Sequence, residues 1–375
     1  MSGPHASGLD GIVVAETELS DVDGERGRLI IRGYAVEDLV GRATFEDVCG
    51  LMWNGRWPSP PERLAVETAL AEARARAFAL LPDIGRALET GDGMEALRAA
   101  VGHLRATDPE TDRVRLTGAI AVFAAAWARR RAKQPAVAPQ PSLSHAADIL
   151  QMLSDATPDP ARVRGLDAYL CCVVDHGMNA STFTARVVAS TESDLVSAIV
   201  AAIGALKGPL HGGAPGPVLD MLDAIGQPQR ARSWLEHEIA SGHRIMGMGH
   251  RIYRVRDPRA AALESATATL ERSGVSADRL AIARAVEREA ERLLAERHPE
   301  RPLRANVEFY TAVLLDAVGV PRTLFSPMFA ASRVVGWCAH VAEQRAVGRL
   351  IRPASTYVGP IKGDIIVSSP DTSST

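Results

Sequence analysis

The sequence predicts a nearly all-α protein that is divided into two helical domains. Long segments carry apolar residues at helical spacing, as in residues 61–80, where Val66, Leu70, Ala73 and Ala77 recur every three or four positions. Segments with β-prone composition are confined to the first 31 residues. The chain has 375 residues, of which 46% are hydrophobic, and a helical chain of this size usually divides into two packed domains.

The N-terminal region is the one place where β structure is predicted. Residues 11–19 and 28–31 are β-prone and flank a turn signal at residues 21–24, so we expect a short N-terminal β-hairpin. The rest of the chain is predicted to be helical, with loops between the helices. The predicted helices lie at about 61–80, 94–105, 115–132, 143–153, 160–174, two segments between 181 and 206, then 215–225, 228–241, 258–272, 277–297, 306–318 and 325–345.

Composition and charge exclude several classes of protein. A formal net charge of −3 argues against nucleic-acid binding, which requires a basic surface. The apolar runs at 116–128 and 195–206 are too short to span a bilayer, so we expect no membrane partner and a cytoplasmic location. The four cysteines lack the spacing of a zinc site, and we expect them to be buried thiols. They are Cys49, Cys171, Cys172 and Cys338.

Three glycine-containing stretches each carry a histidine beside small or polar residues. They are residues 175–182 (DHGMNAST) with His176, residues 207–214 (KGPLHGGA) with His211, and residues 247–259 (GMGHRIYRVRDPR) with His250. Glycine lets the main chain approach a ligand closely, and histidine titrates near neutral pH. The third stretch also carries four arginines before a helix start, which suits an anionic ligand. Each stretch alone is also compatible with a structural loop.

Two further patterns place charged side chains among apolar ones. Glu308 follows Asn306, a predicted helix cap, and a glutamate in a first helical turn commonly just complements the helix dipole. Arg333 lies inside an apolar helix and Arg352 follows that helix. A buried arginine needs an anionic partner, whereas an arginine at the surface does not.

The combination, order and spacing of these motifs resemble the citrate synthase family, which includes the 2-methylcitrate synthases. The resemblance begins at residues 8–11 (GLDG) and 23–34 (DGERGRLIIRGY), continues through the three histidine stretches and ends at Arg352. The short N-terminus resembles the compact dimeric type of the family. The resemblance implies a large helical domain, residues 1–208 and 321–375, and a small mobile domain, residues 209–320, which close over the substrate.

The resemblance also implies a role for each candidate residue. His211 stabilises the enol of the acyl-CoA, His250 polarises the oxaloacetate ketone, and Glu308 is the general base. The residues implied to bind oxaloacetate are His176, His250, Arg259, Arg333 and Arg352, the last reaching in from the second subunit of a homodimer. The residues implied to bind coenzyme A are Ile245, Met246, Gly247 and Arg254.

The implied chemistry needs no permanently bound cofactor, because the coenzyme A thioester is a co-substrate. No metal site is expected, since the histidines lie on separate segments without ligand spacing. The expected reaction is a Claisen condensation of acetyl-CoA with oxaloacetate, followed by hydrolysis of citryl-CoA to citrate and coenzyme A. Two alternatives stay open: a 2-methylcitrate synthase that uses propionyl-CoA, and a slow or non-catalytic paralogue that binds oxaloacetate or acyl-CoA.

The sequence departs from the family pattern at two places. Most members carry aspartate where this chain has Glu308, and the extra methylene displaces the carboxylate by on the order of 1 Å, which can cost roughly 100-fold in rate. Pro215 and Gly216 stand where the family commonly has asparagine and a polar residue. The second departure affects only the helix start behind His211.

Overall fold

The computed structural model describes residues 7–9, 11–211, 215–297, 299 and 303–361. Motif residues 10 and 212–214 lie outside this part of the chain. The described residues confirm the predicted all-α class and the short N-terminal hairpin.

A three-stranded antiparallel sheet is formed by β1 (Ser20–Asp23), β2 (Arg28–Ile31) and β3 (Tyr34–Ala35), in that order. The second predicted strand is confirmed as β2. The prediction that residues 11–19 form the first strand is wrong, because that strand begins at Ser20.

The turn between β1 and β2 explains why the first strand lies later in the chain than predicted. The carboxylate of Asp23 accepts hydrogen bonds from the backbone N–H groups of Glu25 and Arg26, at 3.1 and 2.9 Å. Gly27 closes the turn with a φ of +62°, a conformation that glycine adopts at low cost. The turn therefore occupies residues 24–27, and residues 20–23 are free to pair.

The described residues contain fifteen α-helices. In chain order they are α1 (Val36–Leu39), α2 (Phe45–Asn54), α3 (Pro60–Ala79), α4 (Gly93–Gly102), α5 (Pro109–Arg131), α6 (His145–Ser154), α7 (Pro160–Val173), α8 (Ala180–Ala189), α9 (Leu195–Leu206), α10 (Pro215–Ile225), α11 (Ala231–Ala240), α12 (Pro258–Arg272), α13 (Asp278–Arg297), α14 (Val307–Ala317) and α15 (Phe325–Val347). Every predicted helix is present.

The structure differs from the prediction in two additional short helices and in the starts of α5 and α11. The short helices α1 and α2 were not predicted, because too few residues carry their periodic pattern. Helix α5 begins six residues before the predicted start at 115, since Asp108 accepts a hydrogen bond from the N–H of Thr111 and Pro109 occupies the first helical position. The predicted helix at 228–241 opens with a 3₁₀ turn, Pro228–Arg230, before α11.

The core is built around α15, which packs against α5, α7, α8 and α9. Gly336 in α15 lies against the end of α7: a Cβ atom there would lie 2.4 Å from the carbonyl oxygen of Val174 and 2.9 Å from Oδ1 of Asp175. Only glycine allows this approach. The contact places α15 directly beneath the segment that carries His176.

The four cysteines are buried and carry free thiols. Within the described ranges, no group of three or more histidine, cysteine, aspartate or glutamate side chains could hold a metal ion. None of the described helices is long and apolar enough to cross a membrane.

Candidate active site

Two of the predicted histidines lie side by side between the end of α7 and the loop that precedes α12. The ring centroids of His176 and His250 are 5.7 Å apart. Tyr253 lies against both rings, and its hydroxyl is 3.1 Å from Nε2 of His176. The sequence predicts both histidines as candidate site residues but not Tyr253.

His250 is held as a neutral hydrogen-bond donor. Its Nδ1 accepts bonds from the backbone N–H groups of Ile252 and Tyr253, at 3.0 and 3.1 Å. Burial, reinforced by Arg259 and opposed by Asp257, lowers the pKa of His250 to about 4, so the ring is neutral at pH 7. Because Nδ1 accepts, the single proton is assigned to Nε2. Nε2 lies 3.4 Å from an Nη atom of Arg259, and both donors are available to one ligand oxygen.

Asp257 orients Arg259 and joins two helices. Its two carboxylate oxygens accept from Nε and Nη2 of Arg259, at 3.0 and 2.8 Å. The same carboxylate caps α12 by accepting the N–H of Arg259 at 3.0 Å, and it accepts the N–H of Val307 at 3.1 Å. The first turns of α12 and α14 therefore share one buried anchor.

Asn306 attaches the helix that carries Glu308 to the loop that carries His250. Its side chain caps α14 by accepting the N–H of Glu308 at 3.0 Å, and its amide group donates to the carbonyl oxygen of Gly249 at 2.9 Å. Its backbone N–H also donates to the carbonyl oxygen of Gly247 at 2.9 Å. The start of the helix that carries Glu308 is thus attached to the His250 loop by both the side chain and the backbone of Asn306.

The environment of Glu308 suits a base. Burial raises the pKa of Glu308 to about 7, with Arg259 lowering it and Asp257 raising it further. A carboxylate with this pKa accepts a proton more readily than an ordinary glutamate while it is still ionised in an appreciable fraction of molecules at neutral pH.

His211 contacts Ser181 at the start of α8. Its Nε2 is 2.8 Å from the Ser181 hydroxyl and accepts from the Ser181 backbone N–H at 3.4 Å. The indole N–H of Trp337 donates to the same hydroxyl at 3.1 Å. Burial, with Arg333 adding to the effect, lowers the pKa of His211 to about 4. The ring is neutral, and because Nε2 accepts, the proton is assigned to Nδ1.

Arg333 is a buried cation, and no carboxylate among the described residues bonds to it. Its Nε donates to the carbonyl oxygen of Val173 at 2.7 Å, and the guanidinium lies 4.5 Å from the centroid of the Phe329 ring. Within the described part of the chain its Nη2 has no hydrogen-bond partner. Burial lowers the pKa of Arg333 only to about 10, so the charge persists at neutral pH. Such a group stabilises a bound anion.

A cavity of about 600 Å³ opens beside His250. Ile245 lines it together with apolar and basic side chains. The other lining residues include Ile239, Met248, Leu294, Leu303, Arg244, Arg251 and Arg297. Gly247 lies next to the cavity with a φ of +73°, and a Cβ atom there would lie 2.8 Å from the Phe309 ring.

Three predicted residues lie apart from these clusters. Met246 is half-buried and does not line the cavity. The backbone N–H of Arg254 donates to the carbonyl oxygen of Gly24 at 2.9 Å, and its side chain is 52% exposed beside Glu25. Arg352 is exposed in the segment that follows α15, so it is not buried as Arg259 and Arg333 are.

Comparison with known proteins decides the family. Residues 8–354 match the family model described as "Citrate synthase, C-terminal domain". The chain belongs to the citrate synthase family. It is therefore an acyltransferase-type enzyme, as the sequence predicted.

Relatives named as citrate synthases or as a 2-methylcitrate synthase cover nearly the whole chain. "Putative citrate synthase 2" of Mycobacterium tuberculosis is 40% identical over 94% of this chain and 92% of its own length. The citrate synthase of Haloferax volcanii is 39% identical, covering 96% of this chain and 97% of the relative. A 2-methylcitrate synthase of Mycobacterium tuberculosis is 36% identical, covering 94% of this chain and 90% of the relative.

Solved citrate synthase structures have the same fold. The Pyrobaculum aerophilum citrate synthase superposes with a TM-score of 0.86 at 34% identity, covering 97% of this chain and 95% of that one. The Thermoplasma acidophilum enzyme, solved as a ternary complex with carboxymethyl coenzyme A and oxaloacetate, gives a TM-score of 0.85 at 27% identity, covering 97% and 99%.

The partners of the candidate residues are not predicted by the sequence of this citrate synthase family member. From the sequence, Ser181 is only a small polar residue of a histidine stretch, and no role in the site is predicted for Asp257, Tyr253 or Trp337. Position in a motif beside a histidine was the available signal for Tyr253 and Ser181. For Trp337, which lies 156 residues from Ser181, the sequence carried no signal.

The raised pKa of Glu308 predicts a pH-dependent cost to stability. In the unfolded chain the carboxyl loses its proton near its ordinary pKa of 4.5, but in the folded chain only near 7. Stability therefore falls as pH rises from 4.5 to 7 and then levels off. Because glutamine mimics the protonated form, we expect Glu308→Gln to gain stability over wild type across this range, by at most about 3 kcal/mol. Urea unfolding at fixed protein concentration, at pH 5, 6, 7 and 8, measures this difference.

Glu343→Gln provides a control of opposite sign. Although burial alone raises the pKa of Glu343, hydrogen bonds from Arg186, the Glu18 N–H and Thr17 lower it overall. Ionised Glu343 therefore stabilises the fold above its unfolded pKa, and its glutamine variant should lose stability relative to wild type as pH rises. A difference between Glu308→Gln and wild type that did not change with pH would contradict the raised pKa.

Proposed function

We propose that this protein condenses acetyl-CoA with oxaloacetate and hydrolyses the resulting citryl-CoA to citrate and coenzyme A. The observation that carries the proposal is that neutral His250, the buried cation of Arg333 and the carboxyl of Glu308 all lie within electrostatic range of Arg259, which lowers the pKa of each. Donors, anion-binding groups and a base are the parts that this condensation needs.

Oxaloacetate is an anion with two carboxylates and one ketone. Arg259 and Arg333 bind its carboxylates, and the unpartnered Nη2 of Arg333 supports this role. The Nε2 proton of His250 donates to the ketone oxygen, and His176 helps to hold the same molecule. The oxaloacetate complex of the Thermoplasma acidophilum relative supports a substrate of this class.

Glu308 and His211 act together on the acyl-CoA. The carboxylate of Glu308 removes a proton from the acetyl methyl group, and the electron pair of that C–H bond moves toward the thioester carbonyl. The Nδ1 proton of His211 donates a hydrogen bond to the carbonyl oxygen, where negative charge develops. Because the His211 ring is neutral, it stabilises the enol by a hydrogen bond and the enol remains free to react.

The condensation and hydrolysis follow from the same groups. The enol carbon attacks the ketone carbon of oxaloacetate, and the new alkoxide receives its stabilisation and proton on the side of His250 and Arg259. Water then cleaves the thioester of citryl-CoA and releases the coenzyme A thiol and citrate. The coenzyme A thioester is a co-substrate, and the proposal includes no permanently bound cofactor and no metal.

Coenzyme A occupies the cavity beside His250. The main chain at Ile245, which lines the cavity, and at its neighbours Met246 and Gly247 contacts the adenine, while Arg254, which lies outside the cavity, contacts phosphates that extend beyond it. The basic residues in the cavity lining suit a phosphate-bearing ligand, as does the carboxymethyl coenzyme A complex of the Thermoplasma acidophilum relative.

Closure and assembly complete the site. The segment 209–320 moves as a small domain against the large domain, residues 1–208 and 321–375. The protein is a homodimer in which Arg352 reaches the substrate of the partner subunit, and its exposure in a single chain supports this. The cytoplasmic location expected from the sequence stays a prediction.

One specific observation favours a second candidate, 2-methylcitrate synthase. A relative with that name is 36% identical over 94% of this chain. One methylene in the acyl pocket is worth only about 1–3 kcal/mol of discrimination, so both reactions are compatible with this site. A slow or non-catalytic binding paralogue, prompted by Glu308, is the third candidate.

Acyl-CoA preference separates these candidates. We expect oxaloacetate-dependent release of free thiol with acetyl-CoA, and a lower kcat/KM with propionyl-CoA because its extra methylene must fit the same pocket. Measuring kcat/KM for both thioesters decides the substrate. A preference for propionyl-CoA would make the protein a 2-methylcitrate synthase, and absence of turnover with either thioester, despite oxaloacetate binding, would favour the binding paralogue.

Substitution of Glu308 tests its role as base. Glu308→Gln removes the proton acceptor, so it should abolish turnover while oxaloacetate still binds. Glu308→Asp should lower kcat by roughly 100-fold, because the carboxylate retreats by about 1 Å on a helix whose start is fixed. In the wild type, kcat/KM should rise with pH through about 7 as Glu308 ionises. Steady-state kinetics between pH 5.5 and 9 and calorimetric titration with oxaloacetate, both in wild type and variants, measure these effects.

Either of two results would change this assignment. Substantial turnover by Glu308→Gln would show that another group is the base. A Glu308→Asp variant faster than wild type would show that the site is shaped for the shorter carboxylate.

Mixed dimers test the contribution of Arg352. Arg352→Gln and His250→Gln should each be nearly inactive alone. In a mixed dimer one site receives wild-type Arg352 and contains wild-type His250, so random subunit exchange should restore about a quarter of wild-type activity. Activity after co-refolding the two variants measures this. If Arg352→Gln alone were fully active, or if the mixture stayed inactive, the cross-subunit role would be wrong.

A further inference from the structure

We propose that Glu287 is a positioning residue that holds the Glu308 helix and the His250 loop in register, an inference that rests on the proposed function. Glu287 lies on α13 and is buried. Its carboxylate accepts three hydrogen bonds: from Nε and Nη2 of Arg256, at 2.6 and 2.9 Å, and from the hydroxyl of Tyr310, at 2.5 Å. One carboxylate thus binds two separate active-site segments.

Arg256 connects this carboxylate to the His250 loop. It directly precedes Asp257, the residue that orients Arg259 and caps α12. Its Nη2 also donates to Glu264 of α12 at 2.7 Å, and Glu264 in turn accepts from Arg284 of α13 at 2.6 Å. The loop is therefore fastened to α12 and α13 by a bidentate arginine, whose planar fork constrains orientation as well as distance.

Tyr310 connects the same carboxylate to the helix that carries Glu308. Tyr310 is fully buried in α14, two residues after Glu308. Residues two apart in a helix point to opposite sides, so Tyr310 holds α14 against α13 on the side away from Glu308. The guanidinium of Arg256 lies 5.4 Å from the centroid of the Tyr310 ring. Burial, together with the negative charge of Glu287, raises the pKa of Tyr310, which keeps its hydroxyl protonated as a donor.

The arrangement fixes the distance on which proton abstraction depends. Asn306 and Asp257 hold the N-terminal end of α14 to the His250 loop, while Tyr310 and Arg256 hold the same helix and loop to Glu287. A small rotation or slide of α14 would move the Glu308 carboxylate relative to the thioester methyl, and a shift of about 1 Å can cost roughly 100-fold in rate. Glu287 therefore affects the proton transfer without touching the substrate.

Tyr310→Phe and Glu287→Gln test this role with little change in volume. We expect each to lower kcat by roughly 10- to 100-fold, with the KM for oxaloacetate within about twofold of wild type, since Arg259 and Arg333 are retained. The primary isotope effect on kcat with methyl-trideuterated acetyl-CoA should rise, because proton abstraction becomes slower than the other steps. The double variant should lose less activity than the product of the two single losses, because Tyr310 and Glu287 act through one shared contact.

Asp316→Asn is the matched control. Asp316 lies near the C-terminal end of the same helix and pairs with Arg279 of α13 at 2.6 Å. This variant also weakens the packing of α14 on α13, but far from Glu308. We expect it to lower the midpoint of thermal unfolding while kcat and the isotope effect stay at wild-type values.

The possible results separate the two proposals. If wild type condenses neither thioester, the proposed function fails and this inference with it. If wild type is active but Tyr310→Phe and Glu287→Gln keep its kcat and isotope effect, only the positioning role is overturned. It is also overturned if kcat falls in proportion to thermal stability, in Asp316→Asn as in the other variants, with the isotope effect unchanged.

Discussion

The candidate site depends on the hydrogen bonds that the buried carboxylate of Asp257 accepts. It accepts four hydrogen bonds, three from the backbone and guanidinium of Arg259 and one from the backbone N–H of Val307. The start of α12, the orientation of the Arg259 guanidinium and the start of the helix with Glu308 are all set by this one group. Leaving a buried charge unpaired costs about 3–5 kcal/mol, so the pair constrains both helices strongly.

Burial then shifts the pKa values of the candidate histidines and of Glu308 in opposite directions. It disfavours the charged form, so it lowers the pKa of His211 and His250 to about 4 and raises that of Glu308 to about 7. Arg333 keeps its charge because even a pKa of about 10 lies above neutral pH. The same desolvation thus yields neutral donors, a carboxylate that can accept a proton and a permanent cation among the candidate residues.

Because position 308 carries the longer carboxylate, the contacts that hold α14 in place are particularly important for where that carboxylate lies. Asn306 ties the start of the helix to the His250 loop, and Tyr310 ties its opposite side to Glu287. Arg256 binds that same carboxylate from the loop. Helix α14 and the His250 loop are attached to each other and to α13. The position of the Glu308 carboxylate therefore depends on these contacts as well as on the length of its own side chain.

By itself, the sequence determined most of the helices, the family and the identity of the candidate residues, because periodicity, caps such as Asn306 and ordered motifs are local properties. It misplaced the first strand and missed α1 and α2, where the local pattern is too short to be informative. Only the tertiary structure decided the partners and protonation states: Trp337 with Ser181, Ser181 with His211, and the burial of Glu308. These depend on contacts between residues far apart in the chain, and on exclusion of water by packing, which no local pattern encodes.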